Sequence, residues 1–373
     1  MKILHVLTDT NIGGAGRYLL ALLKSHNRAN SSVGFTDSSA CFSIEVVLPT
    51  GSRLTPFIEA LDVPVIEIPF IQERSFSIKG VAALYKLFGE RKPDLIHTHA
   101  SFSGRIAAKL RGLPVIYSRH YCVPEPTLKH KIFGFANNFF NDGIIATSPE
   151  VTAGMAATGT SLKRITTIYN GVPPLKRLSQ EEKAVIRKRY DISNSAFVIS
   201  QIARLDPVKG HDLTLDAAKL LAQYTDIVIL LAGDGPLEMH LHKRIEAESI
   251  KNVIMTGFIP EIEEIFNITD LQVCASYTET SSLVLLEGMS LGIPAVATDA
   301  GGNPFVILHK ERGLLVPCGN GAALAEAILT IKNDPALYKQ LSKGAELGYN
   351  NQFRAENMTR QVEDLYQAVL KKG

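Results

Sequence analysis

The sequence predicts an α/β protein with two doubly wound parallel sheets in series, and three observations support this prediction. The chain has 373 residues, more than the roughly 250–300 at which a single hydrophobic core stops growing. Short apolar runs of strand length alternate with stretches of helical periodicity, the pattern of a parallel sheet covered by helices on both faces. A polar segment with paired prolines follows Val172, and the alternation then restarts. We therefore predict a first domain over residues 1–175 and a second over residues 176–354.

The individual elements follow from this alternation. In the first domain, strands are predicted at residues 3–7, 44–48, 63–68, 94–97, 115–118 and 144–147, and helices at 17–23, 81–88 and 104–110. In the second domain, strands are predicted at 197–203, 227–232, 252–256, 271–275, 295–298 and 313–316, and helices at 210–223, 237–247, 261–266 and 283–290. Ligands of such sheets bind beyond the carboxyl ends of the strands, so we expect a site in a cleft between the facing domains.

Composition excludes several classes of protein. Apolar residues make up 46% and charged residues 20% of the chain, which is ordinary for a folded soluble protein and unlike a disordered one. The formal net charge of +2 gives no overall field that would attract nucleic acid, so an anionic ligand must be bound by local groups. Cys41, Cys122, Cys274 and Cys318 lack CxxC spacing, which predicts reduced thiols in the cytoplasm.

The chain shows no sign of a targeting or membrane-spanning segment. Its first residues, MKILHVLTDT, form an apolar run too short for a signal peptide, so we predict a buried strand there. A run of about 18 apolar residues, which would predict a transmembrane helix, does not occur. We expect a cytoplasmic protein and leave open peripheral contact with the inner face of the membrane.

The first candidate site is a glycine-rich turn that contains Gly13, Gly14 and Gly16 and directly follows the first strand. Glycines allow close approach of a ligand to the backbone, and the following helix N-terminus offers unpaired N–H groups to an anion. The turn is not a full GxGxxG, and no acidic residue follows at the position that a dinucleotide site requires. A purely structural tight turn is the alternative interpretation.

The second candidate site is the segment RLDPVKG after the first strand of the second domain. Arg204 and Lys209 flank a proline turn before a helix, so both cations can reach one point beside the positive end of that helix. This pattern is typical of a diphosphate site. Two solvated surface cations would be the simpler interpretation.

The third candidate site contains two glutamates, Glu279 and Glu287. Glu287 lies in a helix whose neighbouring residues are apolar, and a buried carboxylate there needs a polar partner. The two hydroxyls of a ribose would provide one, since a carboxylate can accept a hydrogen bond from each. Alternatively, Glu287 is an ordinary exposed helix residue.

Taken together and in this order, these motifs resemble the family-4 retaining glycosyltransferases, also called glycosyl transferases group 1, over essentially the whole chain. The most specific matches are RLDPVKG, the Gly233-Asp234-Gly235-Pro236 turn, Thr256-Gly257-Phe258, the spacing from Glu279 to Glu287, and Gly292-Ile293-Pro294 followed by Gly301-Gly302. The resemblance implies the GT-B fold, with an acceptor-binding and a nucleotide-sugar-binding Rossmann-like domain. It also implies that residues 355–373 form a helix that crosses back to the first domain.

The resemblance further implies roles for individual residues. Arg204 and Lys209 would hold the donor diphosphate, Glu287 the ribose and Glu279 the donor sugar. Amides at the start of the predicted helix, at Ser282, Leu283 and Val284, would complete the anion site. In the first domain, Gly14 and Gly16 would bind the donor, and His120 would lie near the donor sugar. The implied catalytic residues are Arg204, Lys209, Glu279 and His120.

Two further histidines, His97 and His99, match a strand of the family. We take them to point to opposite faces of that strand, so that at most one faces the ligand, and we favour a role in the core or as a cap over catalysis for either one. Thr280-Ser281-Ser282 and Phe305 depart from the family pattern, so no inference about the sugar follows.

The implied reaction transfers a hexose from a nucleoside-diphosphate sugar, with UDP favoured, and retains the configuration of the sugar. The acceptor would be a hydroxyl of a glycan, of a lipid-linked molecule or of a small molecule, and the implied pathway is cell-surface polysaccharide synthesis. No Asp-x-Asp motif is present, so we expect no metal and no other cofactor.

The segment 127–140 combines lysines with four phenylalanines. It is interpreted either as a membrane- or acceptor-facing helix or as a buried helix with a basic end.

Three other functions remain as alternatives. A sugar-nucleotide epimerase or hydrolase on the same fold would keep the donor site without an acceptor groove. A non-catalytic nucleotide-sugar-binding subunit would be favoured by loss of Glu279, Arg204 or Lys209, yet all three are present. A dinucleotide-dependent oxidoreductase is disfavoured because the glycine turn lacks its acidic companion.

Overall fold

A computed structural model describes residues 1–31, 42–69, 71, 75–121 and 127–372. The chain divides into two compact units, one formed by Met1–Pro173 with Phe353–Gly373 and the other by Pro174–Gln352. The first break therefore lies at Pro173, close to the predicted boundary at residue 175. Both units are α/β, as predicted.

The described part of the first unit contains a seven-stranded parallel sheet with the strand order β3-β2-β1-β4-β5-β6-β7. Its strands are β1 (Lys2–Leu7), β2 (Ser43–Pro49), β3 (Val65–Ile68), β4 (Leu95–His99), β5 (Val115–Arg119), β6 (Gly143–Ala146) and β7 (Ile165–Thr167). Its helices include α1 (Gly14–Ser31), α2 (Thr55–Glu59), α3 (Ile78–Arg91), α4 (Phe102–Leu110), α5 (Leu128–Phe140) and α6 (Pro149–Ala157). The strand order reverses between β1 and β4, and the loops after these two strands therefore diverge at one edge.

The second unit contains a six-stranded parallel sheet with the order β10-β9-β8-β11-β12-β13. Its strands are β8 (Phe197–Ile202), β9 (Ile227–Ala232), β10 (Val253–Gly257), β11 (Leu271–Cys274), β12 (Ala295–Thr298) and β13 (Gly313–Val316). Its helices are α7 (Gln180–Arg189), α8 (His211–Leu221), α9 (Glu238–Ala247), α10 (Ile262–Asn267), α11 (Leu283–Ser290), α12 (Asn303–Ile307), α13 (Gly321–Asn333) and α14 (Pro335–Gly348). Here the order reverses between β8 and β11.

The last helix, α15 (Ala355–Leu370), is part of the core of the first unit. Its residues Met358, Val362 and Tyr366 are buried in one cluster with Tyr18 and Leu22 of α1. Because this apolar face is covered by the first unit, truncation of the chain before α15 would expose core surface there. The C-terminal helix is therefore a structural element of the first unit.

The predicted strands and helices agree with the structure in type, and they differ at the ends. Helix α3 is longer than the predicted 81–88, because Ser77 begins it by accepting a hydrogen bond from the Gly80 N–H. The short strand β7 and the helices α2, α6 and α12 were not predicted. Among the described residues, no helix is long and apolar enough to cross a membrane. Cys274 and Cys318 are free thiols, whereas Cys41 and Cys122 lie outside the described residues.

Candidate functional site

The strand-order reversal of the second sheet brings Lys209 and Glu279 together. Lys209 follows β8 and Glu279 follows β11, and these strands are neighbours in the sheet. The Lys209 Nζ donates a hydrogen bond to the Glu279 Oε2 over 2.6 Å. The Ser276 hydroxyl donates to the same oxygen over 3.3 Å. Two of the predicted site residues therefore form an ion pair at the edge of the sheet where ligands bind.

Close backbone contacts hold the loops that carry this pair. Gly210 has a φ of +65°, and a Cβ at this position would lie 2.1 Å from the Ala275 carbonyl oxygen. Gly301 has a φ of +53°, and its Cβ would lie 1.9 Å from the carbonyl oxygen of Glu279. The Gly302 N–H donates to that same oxygen over 2.7 Å. The glycines therefore allow backbone packing that fixes the positions of Lys209 and Glu279.

Arg204 lies in the same loop as Lys209 but has a different partner. Its guanidinium forms an ion pair with Asp206 over 2.8 Å, and its side chain is 68% exposed. Asp206 also accepts a hydrogen bond from the Val208 N–H. The two predicted cations therefore form ion pairs with different carboxylates, Arg204 with Asp206 and Lys209 with Glu279. The Arg204 side chain remains accessible to a ligand.

Helix α11 follows in the chain; it contains three of the predicted residues, and a fourth, Ser282, is its N-cap. The side chain of Ser282 accepts a hydrogen bond from the Leu285 N–H, which defines the start of the helix. Ser282 and Leu283 are buried and Val284 is partly exposed. Glu287 is 7% exposed, so the alternative of an ordinary exposed glutamate is wrong. The start of α11 offers backbone amides to an anion, and Glu287 holds a carboxylate on the buried side of the helix.

The glycine turn of the first unit lies after β1, where that sheet reverses its order. Helix α1 begins at Gly14, and a Cβ at Gly14 would meet no atom within 4 Å. A Cβ at Gly16 would lie 2.9 Å from the Leu54 side chain. A side chain at Gly16 would therefore displace the buried Leu54 side chain, whereas Gly14 leaves open space that a ligand can approach.

His120, directly after β5, is hydrogen-bonded to a buried group of histidines. The His120 Nε2 lies 3.2 Å from the His99 Nδ1, and the His99 Nε2 lies 3.1 Å from the His5 Nδ1. His5 and His99 are completely buried, while His120 keeps some exposure. The ring of Tyr18 lies edge-on to His120, with centroids 4.8 Å apart.

The group continues through Tyr366 of α15. The Tyr366 hydroxyl lies 3.3 Å from the His5 Nε2 and 2.7 Å from the His97 Nδ1. The His97 Nε2 lies 2.7 Å from the Ser118 hydroxyl. Sequence reasoning missed His5 and Tyr366. His5 could have been found as the one polar side chain inside an apolar strand, but Tyr366 lies far away in the chain.

The expectation that His97 and His99 point to opposite faces of β4 is wrong. Their rings are stacked, with centroids 4.5 Å apart. Residues two apart in a strand share a face, so both side chains point to the side of the sheet that α1 and α15 cover. The predicted role in the core fits His97. His99 instead forms the hydrogen bond that links the buried histidines to His120.

Burial keeps these imidazoles neutral. It lowers the pKa of His5 to about 3 and that of His120 to about 4. The pKa values of His97 and His99 lie well below the usual value, first because of burial and then because of the neighbouring histidines. Among the described residues, His5, His97 and His99 form one group in which one ring nitrogen from each histidine lies within 4.8 Å of the other two, and imidazole nitrogens are a donor type that binds transition metals. Each of these nitrogens is already within hydrogen-bonding distance of a neighbour, so we interpret the group as a hydrogen-bonded chain.

Acidification is expected to destabilise the protein through this group. The unfolded histidines titrate near 6.5 and the folded ones much lower, so below about pH 6.5 the unfolded state binds more protons and the free energy of unfolding falls. Each fully buried histidine contributes about 1.4 kcal/mol per pH unit. We expect a lower urea midpoint at pH 5.5 than at pH 7.5, and a smaller difference in His97→Asn.

A matched control for this pH experiment is His242→Asn, because His242 is exposed. This variant should keep the wild-type pH dependence. Equal pH dependence in the two variants would contradict the assignment of the effect to the buried histidines.

Comparison with known proteins identifies the class of this chain. The family model described as "Glycosyl transferases group 1" matches residues 182–347, and that described as "Glycosyltransferase Family 4" matches residues 12–174. Together the two models span both units. The chain therefore belongs to the group 1 glycosyltransferases of family 4, and it is a glycosyltransferase, as the sequence motifs indicated.

Individual relatives and solved structures agree with this class. The N-acetyl-alpha-D-glucosaminyl L-malate synthase of Bacillus anthracis is 24% identical and covers 97% of this chain and 95% of its own. An Escherichia coli enzyme, UDP-Gal:alpha-D-GlcNAc-diphosphoundecaprenol alpha-1,3-galactosyltransferase, is 25% identical, with 87% and 89% covered. The structure of HepE from Anabaena in complex with UDP matches with a TM-score of 0.84 at 23% identity, over 99% of this chain and 100% of that one. This likeness shows the fold, which is GT-B.

Proposed function

We propose that this chain is a retaining, metal-independent glycosyltransferase that moves a hexose from a UDP-sugar to a hydroxyl of its acceptor in cell-surface polysaccharide synthesis. The observation that carries this proposal is the Lys209–Glu279 pair at the strand-order reversal of the second sheet. A cation held at this edge can neutralise the charge that develops on a departing nucleoside diphosphate.

The second unit provides the groups that a nucleotide-sugar donor needs. Lys209 and Arg204 bind the diphosphate, and the amides of Ser282, Leu283 and Val284 at the start of α11 add hydrogen bonds. Glu287 accepts hydrogen bonds from the ribose hydroxyls. Glu279, held by Lys209 and Ser276, is positioned to accept hydrogen bonds from the sugar. Fixed cations and amides of this kind stabilise the leaving group without large rearrangement.

Retention of configuration follows from front-face attack in this proposal. The leaving phosphate accepts the proton of the acceptor hydroxyl while the new glycosidic bond forms on the same face of the sugar. The role of the protein is then to hold donor and acceptor in reactive orientation. We assign His120 to orienting the sugar, and Gly14 to allowing close approach of a substrate to the backbone.

One relative and one solved structure support the choice of UDP, and the names of two relatives indicate two classes of acceptor. The Escherichia coli galactosyltransferase is named for UDP-Gal and for a diphosphoundecaprenol-linked acceptor, and HepE was solved with UDP. The Bacillus anthracis enzyme is named N-acetyl-alpha-D-glucosaminyl L-malate synthase, and a glucosaminyl malate as product indicates a small hydroxy acid as acceptor.

A surface feature of the first unit favours the lipid-linked acceptor. Leu128, Ile132, Phe135 and Phe139 of α5 are 74%, 63%, 74% and 74% exposed. Their spacing of four, three and four residues places them on one side of the helix, and we call this set the apolar stripe. Exposed lysines on the same helix, Lys129 and Lys131, complement anionic lipid headgroups. We therefore propose that α5 contacts the membrane surface. The exposure of these four side chains contradicts the alternative interpretation of a buried helix with a basic end for this side of α5.

Replacing the apolar stripe is expected to weaken membrane binding. The double variant Phe135→Ser/Phe139→Ser removes two exposed rings and buries no new group, so the fold should persist. We expect at least a tenfold lower affinity for vesicles containing anionic phospholipid, measured by co-sedimentation. The control Leu220→Ser, at an exposed leucine of α8, should bind as the wild type does. Equal vesicle binding of all three proteins would contradict this contact.

The donor proposal is tested by a thermal-shift screen against UDP, GDP and ADP and their common sugar conjugates, with and without EDTA. A ligand that binds only the folded state raises the melting temperature. We expect the largest shift with UDP and a UDP-sugar, unchanged by EDTA. No shift with any of these ligands at millimolar concentration would refute a nucleotide-sugar donor. A shift that EDTA abolishes would refute metal independence.

A further inference from the structure

Six buried or half-buried side chains of the first unit form one continuous hydrogen-bonded chain. In order they are Ser118, His97, Tyr366, His5, His99 and His120, and the five distances between their polar atoms range from 2.7 to 3.3 Å. We call this set the histidine chain. The Nδ1 of His120 lies at its open end, beyond the carboxyl end of β5. Every ring nitrogen of His5, His97 and His99 takes part in the histidine chain.

Counting protons leaves two complete arrangements. A neutral imidazole has one N–H and one bare nitrogen, so each inner histidine donates in one direction and accepts from the other. The Tyr366 hydroxyl has one proton, and its neighbours in the described structure are His97 and His5. If it accepted from both, its own proton would be buried without an acceptor, which is costly. The direction of donation is therefore the same along the whole chain.

The geometry points to a role for Tyr366 beyond packing: we propose that it is a positioning residue for His120, fixing the tautomer of His120 through His5 and His99. When donation runs towards His120, all four histidines carry their proton on Nδ1. When it runs away from His120, all four carry it on Nε2. The two arrangements make the His120 Nδ1 a hydrogen-bond donor or a bare acceptor for the substrate, and the identity of that substrate rests on the proposed function.

Burial of the group supports neutral imidazoles throughout. His5, His97 and His99 are completely buried, and their lowered pKa values keep them uncharged at neutral pH. Each ring packs against the next, so a rotated ring would lose both stacking and hydrogen bonds. The tautomer of His120 is therefore coupled to those of His99, His5 and His97, which lie in the interior of the first unit.

The first test needs only the wild-type protein without substrate. Long-range ¹H–¹⁵N spectra of protein labelled in its histidine rings report the tautomer of each imidazole. We expect His5, His97, His99 and His120 to share one tautomer. A mixture of tautomers among the four would overturn the proposal, and so would retention of stoichiometric zinc by the dialysed protein, since a metal would occupy the nitrogens of the chain.

The second test is Tyr366→Phe, which keeps the ring but removes the hydroxyl between His97 and His5. We expect His120 to show both tautomers, with kcat at least threefold lower and the donor KM changed less than twofold. The control Tyr338→Phe removes a hydroxyl that donates to the Asp270 carbonyl in the second unit, and it should leave both readouts at wild-type values. An unchanged His120 tautomer in Tyr366→Phe would overturn the proposal.

These readouts distinguish failure of the proposal about the His120 tautomer from failure of the proposed function. If the protein transfers no sugar, the proposed function fails, while the tautomer spectra still decide whether Tyr366 controls His120. If Tyr366→Phe does not fold, the wild-type spectra alone decide. Loss of kcat in Tyr366→Phe with one unchanged tautomer at His120 would show that Tyr366 acts in some other way, and would overturn the proposal.

Discussion

Replacing Lys209 by alanine is expected to lower kcat by more than tenfold, a loss of at least about 1.4 kcal/mol of transition-state stabilisation. The ammonium of Lys209 is held by Glu279 over 2.6 Å. Its removal takes one positive charge from the diphosphate and also leaves the Glu279 carboxylate without its cationic partner. The unneutralised carboxylate then opposes the negative charge that develops on the leaving group. Both effects act in the same direction.

The measurement for Lys209→Ala is the rate of nucleoside diphosphate release from the donor that the thermal-shift screen identifies. Lys219→Ala is the matched control, because Lys219 lies in the same unit and forms an ion pair with Glu248 over 2.9 Å. It should turn over as the wild type does. Arg204→Ala is expected to lose more than tenfold as well. Near wild-type turnover in both Lys209→Ala and Arg204→Ala would contradict the phosphate site.

Replacing Glu287 is expected to weaken binding of the donor and to leave the rate of the chemical step nearly unchanged. Glu287 is 7% exposed on a helix whose other buried residues are mostly apolar. In the proposed site its carboxylate accepts hydrogen bonds from both ribose hydroxyls, and hydrogen bonds to a charged group are worth about 1.5–3 kcal/mol. The ribose does not change during the reaction, so the contact is equal in the ground and transition states. We expect Glu287→Ala to raise the donor KM by about tenfold or more with kcat nearly unchanged.

A second variant separates lost binding from lost folding. Glu287→Gln keeps the shape of the side chain and should show the same direction of change with wild-type thermal stability. Glu246→Gln, at an exposed position of α9, is the control and should leave the donor KM unchanged. A lower kcat with unchanged KM in Glu287→Gln would contradict the assignment to the ribose.

The alternation of strands and helices was sufficient to predict the fold of both units. Parallel strands are buried on both faces, so they read as continuous apolar runs, and β6 and β9 were found in this way. Strand β7 has three residues, none of them fully buried, and such a short run has no distinct pattern. Pairing within the sheet is set by long-range packing, which local periodicity does not encode.

The candidate site was only partly predictable. Motif spacing identified Lys209 and Glu279, and the structure shows that they contact each other. The pairing of Arg204 with Asp206 was not predicted, because an ion pair depends on loop geometry. The histidine chain was missed because it joins strands β1, β4 and β5 to Tyr366 of α15, and only the folded chain brings these elements together.

The most direct test of the donor site is calorimetric titration of UDP into the wild-type protein, Lys209→Ala and Lys219→Ala, all in EDTA. The proposed site requires UDP to bind the wild type and Lys219→Ala with equal affinity. Lys209→Ala should bind at least tenfold more weakly, because its diphosphate contact is gone. Absence of UDP binding to the wild type, or equal affinity in all three proteins, would contradict a diphosphate site at Lys209.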